Sequence, residues 1–281
     1  MVKLEKVKKQ YKDFSLDCSF EIPTGQVTGI IGRNGAGKTT AFKAMLGLIK
    51  IDGGTVELFG KNIRDLTVKD RERIGVVLAD SGFGGYLTIK DYVPMLDAMY
   101  HDFSKETFVS ECERMGLPLK KKIKEFSTGM KRKLQILTAL SHNADLLVLD
   151  EPTAGLDVIV RDEILEMLQE YMKTEERSIL ISSHISSDLE GICDDVYMID
   201  KGRIVMHEDT DVILGSYGLI KATRSQFEKL DKTYIIDSFE EQFGYNCITN
   251  QKQFYVENYP DVVVENCGLD LMMRIQNIKK H

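Results

Sequence analysis

The sequence predicts an α/β fold: a strand core with helices packed on it, followed by a small α+β extension at the C-terminal end. Two short apolar runs carry that expectation. "LLVLD", Leu146 to Asp150, and "SILISS", Ser178 to Ser183, have the composition of parallel strands buried on both faces. The third observation is the helical periodicity over residues 158–173, between the two runs.

The remaining elements follow in chain order. Residues 2–31 read as short strands, with alternation in "FSLDCSFEI", a turn at Pro23, Thr24 and Gly25, and then "QVTGII". After Lys38 the period turns helical, with Phe42, Met45, Leu46 and Ile49 on one face. "IDGGTVELFG" reads as a turn and a strand, and "IGVVLA" (residues 74–79) as a short buried strand. Residues 88–142 are mostly helical. "VYMIDKGRIVM" reads as a hairpin turning at Lys201 and Gly202. A composition shift near Gly215, Ser216, Tyr217 and Gly218 marks a boundary. Beyond it we expect a short helix at Phe239, strands at "QFYVEN" and "DVVVE", and a terminal helix with Met272, Ile275 and Ile278 in register.

Composition narrows the function classes. The 281 residues are 43% hydrophobic and 29% charged, ordinary for a soluble globular protein. The start, "MVKLEKVKKQYKDF", has lysines but no apolar block after them, so it does not read as a secretory signal. No apolar run approaches the ~18 residues of a spanning helix. A role at a membrane therefore means docking onto something else that spans it. The formal net charge of −7 disfavours nucleic acid as the main partner. The basic runs Lys120, Lys121, Lys122, Lys124 and Lys131, Arg132, Lys133 read as solvated surface. Cys18, Cys112, Cys193, Cys247 and Cys267 are scattered, with no C-x-x-C pair, and read as reduced thiols packed in cores.

The stretch "GRNGAGKTTAF" carries the chemistry. Gly32 to Thr39 fits G-x-x-x-x-G-K-[ST] in full, between an expected strand and an expected helix. Glycines let backbone N–H groups turn inward around phosphate oxygens, and the helix points its positive end at them. Gly32, Asn34, Gly35, Ala36, Gly37, Lys38, Thr39 and Thr40 are the candidate nucleotide-binding residues. In such a loop Lys38 can reach the β- and γ-phosphates, and Thr39 is a candidate Mg²⁺ ligand. Asp150 and Glu151 close "LLVLD". A strand-end carboxylate beside such a loop is the second metal-ligand candidate, and the adjacent Glu is a candidate general base. The guanine-reading pattern N-K-x-D is absent.

Three further stretches separate the nucleotide-binding classes: "FSTGMKRKLQI" (126–136), "EPTAGLD" (151–157) and "ISSHISSDLE" with His184. In this order the sequence resembles the ATP-binding subunit of an ABC transporter, over Lys3 to about Ile213. The resemblance implies a P-loop NTPase domain of the ABC type, with a mixed sheet core, an antiparallel β subdomain and a helical subdomain. That domain would occupy residues 1–214, its helical subdomain about 84–142, with an accessory segment over 215–281.

The resemblance also implies roles. Tyr11 in "KKQYKDF" matches the aromatic that stacks on adenine. Ser127 and Gly129 keep part of the family's signature loop, which clamps the γ-phosphate of the ATP held by a second subunit. Asp157 matches the loop acid that crosses this interface. His184 matches the switch histidine that contacts the γ-phosphate and orients Glu151 and water. Implied cofactors are ATP and Mg²⁺. Implied partners are a membrane-spanning permease subunit and a second ATPase subunit, identical or paired, across two ATP. The place implied is the cytoplasmic face of a membrane, held peripherally.

Two positions depart from the pattern. The Gln that usually follows the "GVVLADSG" strand falls on Ala79, leaving Asp80 as the nearest group that could take over, and Met130 replaces a signature Gln. The short C-terminal extension and "STGMK" look most like exporters of the ABC-2 type, some of which export peptides. The rival is a soluble ABC ATPase acting on nucleic acid or ribosomes, against which the single ATPase domain and the acidity stand. A P-loop kinase would need an acceptor site and would leave the 126–136 and His184 stretches without a role.

Overall fold

The computed structural model of the protein describes residues 1–82 and 84–270. Three sheets organise it. An antiparallel sheet is formed by β1 (Val2–Gln10), β2 (Ser15–Ile22), β4 (Gly53–Leu58) and β5 (Lys61–Asn62), in the order β2-β1-β4-β5. A six-stranded sheet contains β3 (Val27–Ile31), β6 (Ile74–Val77), β7 (Leu146–Asp150), β8 (Ser178–Ser183), β9 (Asp195–Asp200) and β10 (Arg203–Asp209). Its order is β10-β9-β3-β8-β7-β6, parallel except for the edge hairpin β9–β10.

The central strands β3, β7 and β8 are buried throughout because both faces are covered, and alternate residues serve two cores. Ile30, Val148 and Leu180 point to α1 (Lys38–Met45) and the antiparallel sheet, where Phe42 is fully buried. Burying one such side chain contributes roughly 1.5–3 kcal/mol. Ile31, Leu149 and Ile181 point to the opposite core. That core also takes α3 (Ile89–Met99), α4 (Lys105–Arg114), α5 (Thr128–Leu140), α6 (Val158–Met172) and α7 (Ser186–Glu190). A five-residue helix, α2 (Val68–Glu72), precedes β6.

The expected α/β core, hairpin and helical segment are present. The turn of β9–β10 falls on Lys201 (φ 47°) and Gly202 (φ 78°). A Cβ on Gly202 would lie 2.0 Å from the Ser15 carbonyl oxygen, so only glycine fits there. Two bounds differ. α1 ends at Met45, before Ile49, and β6 ends at Val77. As an edge strand β6 leaves Val76 38% exposed rather than buried.

After α8 (Thr210–Ser216) comes the third sheet: β11 (Gly218–Ala222), β12 (Ile235–Glu241), β13 (Gly244–Thr249) and β14 (Val263–Asn266), antiparallel in the order β12-β13-β11-β14. It carries α9 (Arg224–Lys229) and α10 (Lys252–Asn258). Two expectations are overturned here. Phe239 lies in β12, paired with Asn246 of β13, not in a helix. "QFYVEN" forms α10, not a strand. Its alternation is too short to fix a period, and a helical turn lets Tyr255 enter the small core with Ile220, Leu230 and Cys247. The terminal helix expected around Met272, Ile275 and Ile278 lies outside the described residues.

Candidate nucleotide site

The parallel register brings the functional segments to one edge of the sheet. Ile31, at the end of β3, pairs with Ser183, and Asp150, at the end of β7, pairs with Ser182. Ligands of open α/β sheets sit at such carboxyl edges.

From Ile31 the chain turns through 32–37 into α1. Gly35 and Gly37 have φ of 79° and 115°. No side chain caps α1, so its first N–H groups have no intrahelical or capping partner and suit an anion. The loop is braced from below. Gly202 N–H donates to Ala36 O at 2.7 Å, and a Cβ on Gly32 would lie 2.5 Å from Ile199 O. Asn34 and Gly35 are exposed at its tip, with Thr40 half-buried in the first turn of α1. Lys38 is buried at 6% exposure. Its Nζ donates to Gly32 O at 2.5 Å and Arg33 O at 3.3 Å. The Phe14 ring packs against Gly37, and Tyr11, 43% exposed, lies 6.3 Å from Phe14 between ring centroids. Tyr11 thus lies beside the ring that packs on the loop, with Lys9 Nζ over its own ring at 5.6 Å.

Asp150 is fully buried yet fully used. Thr39 Oγ1 donates to its Oδ2 at 2.6 Å and Ser182 Oγ to its Oδ1 at 2.6 Å. Thr39 and Asp150 thus place two hard oxygen donors side by side, the type Mg²⁺ takes. Among the described residues no cluster of three or more His, Cys, Asp or Glu is arranged to hold a metal. The pair fits an ion that takes most of its ligands from phosphates and water, which is how Mg²⁺ is usually held.

Glu151 has φ 52°, an uncommon value for a residue with a side chain, which costs on the order of 1–3 kcal/mol. Its N–H is anchored on Ser182 O at 3.1 Å. The carboxylate is held from both sides. Lys38 Nζ lies 3.0 Å from Oε1, and His184 Nδ1 lies 2.6 Å from Oε2, which also accepts the His184 N–H at 3.3 Å. The two carboxylates act further out on Arg132 of α5. Burial holds that guanidinium below its usual pKa, and Asp150 and Glu151 pull it back up. Nothing in the motif patterns marks Ser182. Its signal is a hydroxyl in a wholly buried apolar strand, beside a strand that ends in an acid.

Ser127, Gly129 and Asp157 are not brought to the loop. Ser127 caps α5, accepting the Met130 N–H at 3.2 Å, and Asp157 caps α6, accepting the Val160 N–H at 3.0 Å. Both residues are exposed. The two helix starts lie together, since a Cβ on Gly129 would be 3.1 Å from Val160. They form a second, outward-facing cluster.

Ala79 and Asp80 are exposed beyond β6. Asp80 does not join Thr39 and Asp150. Its Oδ2 pairs with Lys43 of α1 at 2.6 Å, and this hydrogen bond lowers the Asp80 pKa and raises that of Lys43. The same loop is tied to α5, where Gln135 Nε2 donates to Ser81 O at 2.8 Å. Among the described residues no helix is long and apolar enough to cross a membrane.

Comparison with known proteins identifies the family. The profile of the ABC transporter family matches residues 16–154. The bacitracin transport ATP-binding protein of Enterococcus faecalis is 34% identical over 209 residues, covering 73% of this chain and 68% of that protein. A lantibiotic transport ATP-binding protein of Streptococcus pyogenes is 33% identical over 235 residues, covering 82% and 99%. Among solved structures, a subunit from Clostridium perfringens that is part of an ABC transporter complex superposes with TM-score 0.61 at 28% identity, covering 75% of this chain and 88% of that one. A dimeric ATP-binding cassette bound to ADP and Pi shares the fold, with TM-score 0.67 at 23% identity, covering 75% and 99%. The chain belongs to the ABC transporter family and is one of its ATP-binding subunits, an ATPase that serves a membrane transporter.

Proposed function

We propose that the chain hydrolyses Mg-ATP as one half of an ATPase pair and drives a separate membrane permease that exports peptides. The observation that carries the chemical part is the placement of Glu151 between Lys38 and His184. Residues 32–40 hold the phosphates, with Lys38 exchanging its loop carbonyls for phosphate oxygens. Tyr11 stacks on the base. Thr39 and Asp150 hold Mg²⁺, which when bound neutralises phosphate charge. Glu151 takes the proton of the attacking water, and His184 orients Glu151. Ser182 aims the Asp150 carboxylate through its hydroxyl.

Ser127, Gly129 and Asp157 act on the nucleotide of the partner subunit. Their outward placement, away from the loop of their own chain, supports this reading. Residues 1–214 form the ATPase unit, and 215–281 an accessory segment that shares the main core through Tyr217, Ile248 and Cys267. Export of peptides rests on the relatives, whose names include bacitracin and lantibiotic transport. The subunit would sit on the cytoplasmic face by docking on its permease.

Purified protein should hydrolyse ATP in a Mg²⁺-dependent way. Pull-down from detergent-solubilised membranes should recover a polytopic membrane protein. Recovery of ribosomes or RNA instead would favour the rival reading.

A further inference from the structure

Asp188, on α7, is fully buried but is not part of the nucleotide site. Its carboxylate pairs with the Arg161 guanidinium and accepts the hydroxyl of Thr153, itself buried at 1% exposure. Ser183 Oγ also donates to it at 3.4 Å. These partners belong to three segments. Thr153 lies in the loop 151–157, between Glu151 and Asp157. Arg161 is in the first turn of α6, where its N–H bonds to Asp157 O at 3.0 Å, and its guanidinium reaches on to Ser187 Oγ at 2.7 Å. Ser183 immediately precedes His184 and accepts the Ile185 N–H at 2.9 Å.

With Asp188 fully buried and Arg161 partly so, the ion pair is a poor source of stability, because desolvation offsets its attraction, but it can fix one geometry among several. Here it joins two loops that leave different strands. One presents Glu151 at its start and Asp157 at its end. The other presents His184.

We propose that Asp188 and Arg161 are positioning residues that lock the 151–157 loop to the His184 segment. The histidine facing the subunit's own nucleotide and the acid facing the partner subunit then shift as one body. The inference rests on the roles given above to Glu151, Asp157 and His184.

The test compares Asp188→Asn, Arg161→Met, Arg161→Lys and Thr153→Val with wild type and with Glu151→Gln. Steady-state ATPase kinetics, melting temperature and the ATP-bound dimer fraction in a Glu151→Gln background are measured for each. Asp188→Asn and Arg161→Met should lower kcat by about 10–10²-fold, the scale of a misplaced catalytic group. KM for ATP should stay near wild type, since the phosphate loop is untouched, and the ATP-bound dimer should fall. Arg161→Lys, which keeps the charge, should lose less.

Thr153→Val removes one hydroxyl at nearly constant volume, so it decides the matter if Asp188→Asn does not fold. Folded variants with wild-type kcat and dimer fraction would overturn the lock, as would a parallel loss of kcat, KM and melting temperature. If Glu151→Gln itself turns over at the wild-type rate, the site assignment fails along with the lock. If Glu151→Gln is slow while Asp188→Asn and Thr153→Val are normal, the lock alone fails.

Discussion

The Glu151 carboxylate lies 2.6 Å from Nδ1 of His184, across the ends of two strands, β7 and β8, that are neighbours in the sheet. The two residues are 33 positions apart in sequence. The parallel register, with Asp150 opposite Ser182, is what makes them meet. A base whose orientation depends on a neighbour can be tuned by whatever moves that neighbour. His184→Ala should therefore keep nucleotide binding and lower kcat by about 10²-fold or more, the usual scale for a disturbed general base. Stopped-flow binding of a fluorescent ATP analogue, together with turnover, checks both halves.

The outward placement of Ser127 and Asp157 predicts complementation. Lys38→Ala and Ser127→Arg should each inactivate the homodimer. Mixed, they should restore one competent site per heterodimer, because one interface then has an intact loop facing an intact Ser127. Turnover in the mixture, set against heterodimer content by native mass spectrometry, is the measurement. Heterodimers that form but stay inactive would argue for a site complete within one chain.

Asp80 is tied to Lys43, not to Thr39 or Asp150. Asp80→Ala should leave ATP affinity, basal turnover and melting temperature close to wild type. Any effect should appear only in the stimulation of turnover by the permease, because the loop 78–81 also hangs on Gln135 of the helical segment. ATPase assays with and without the reconstituted permease separate the two.

His142 gives a pH dependence of stability. It is buried at 5% exposure, stacked on Tyr100 at 4.0 Å, and burial lowers its pKa below the ordinary 6.5. The unfolded chain then binds the proton more readily than the folded one. The stability contributed by neutral His142 is complete above about pH 6.5 and is lost as pH falls toward the folded value. His142→Phe keeps the stacking and removes the proton. Its urea midpoint should fall less than that of wild type between pH 7.5 and 5.5. Equal falls would remove His142 from the account.

The C-terminal segment should depend on Tyr255. Its ring is fully buried and its hydroxyl donates to Asp231 O at 2.6 Å. Tyr255→Ala should cost about 3–5 kcal/mol, and Tyr255→Phe about 1 kcal/mol, in denaturant melts of this segment.

How far the sequence speaks for the structure depends on the range of the interaction. The loop 32–39 was legible because its glycines, lysine and threonine lie within eight residues of chain, and the buried strands because each carries a short, mostly apolar run. Ser182, Arg161 and Asp188 were not legible, because what makes them matter is a register and a burial that only the packed sheet creates. Phe239 and Tyr255 misled for a related reason. In a segment of six or seven residues the helical and strand periods overlap, and the neighbouring core decides between them.

The most direct test of the account is Mg-ATP turnover by Glu151→Gln. The substitution keeps the shape and removes the carboxylate proposed as the base, while Lys38, Thr39 and Asp150, proposed to hold Mg-ATP, are untouched. ATP binding should stay normal, hydrolysis should slow by about 10²–10⁴-fold, and an ATP-bound dimer should accumulate in size-exclusion chromatography. Turnover close to wild type, with no trapped dimer, would contradict the account.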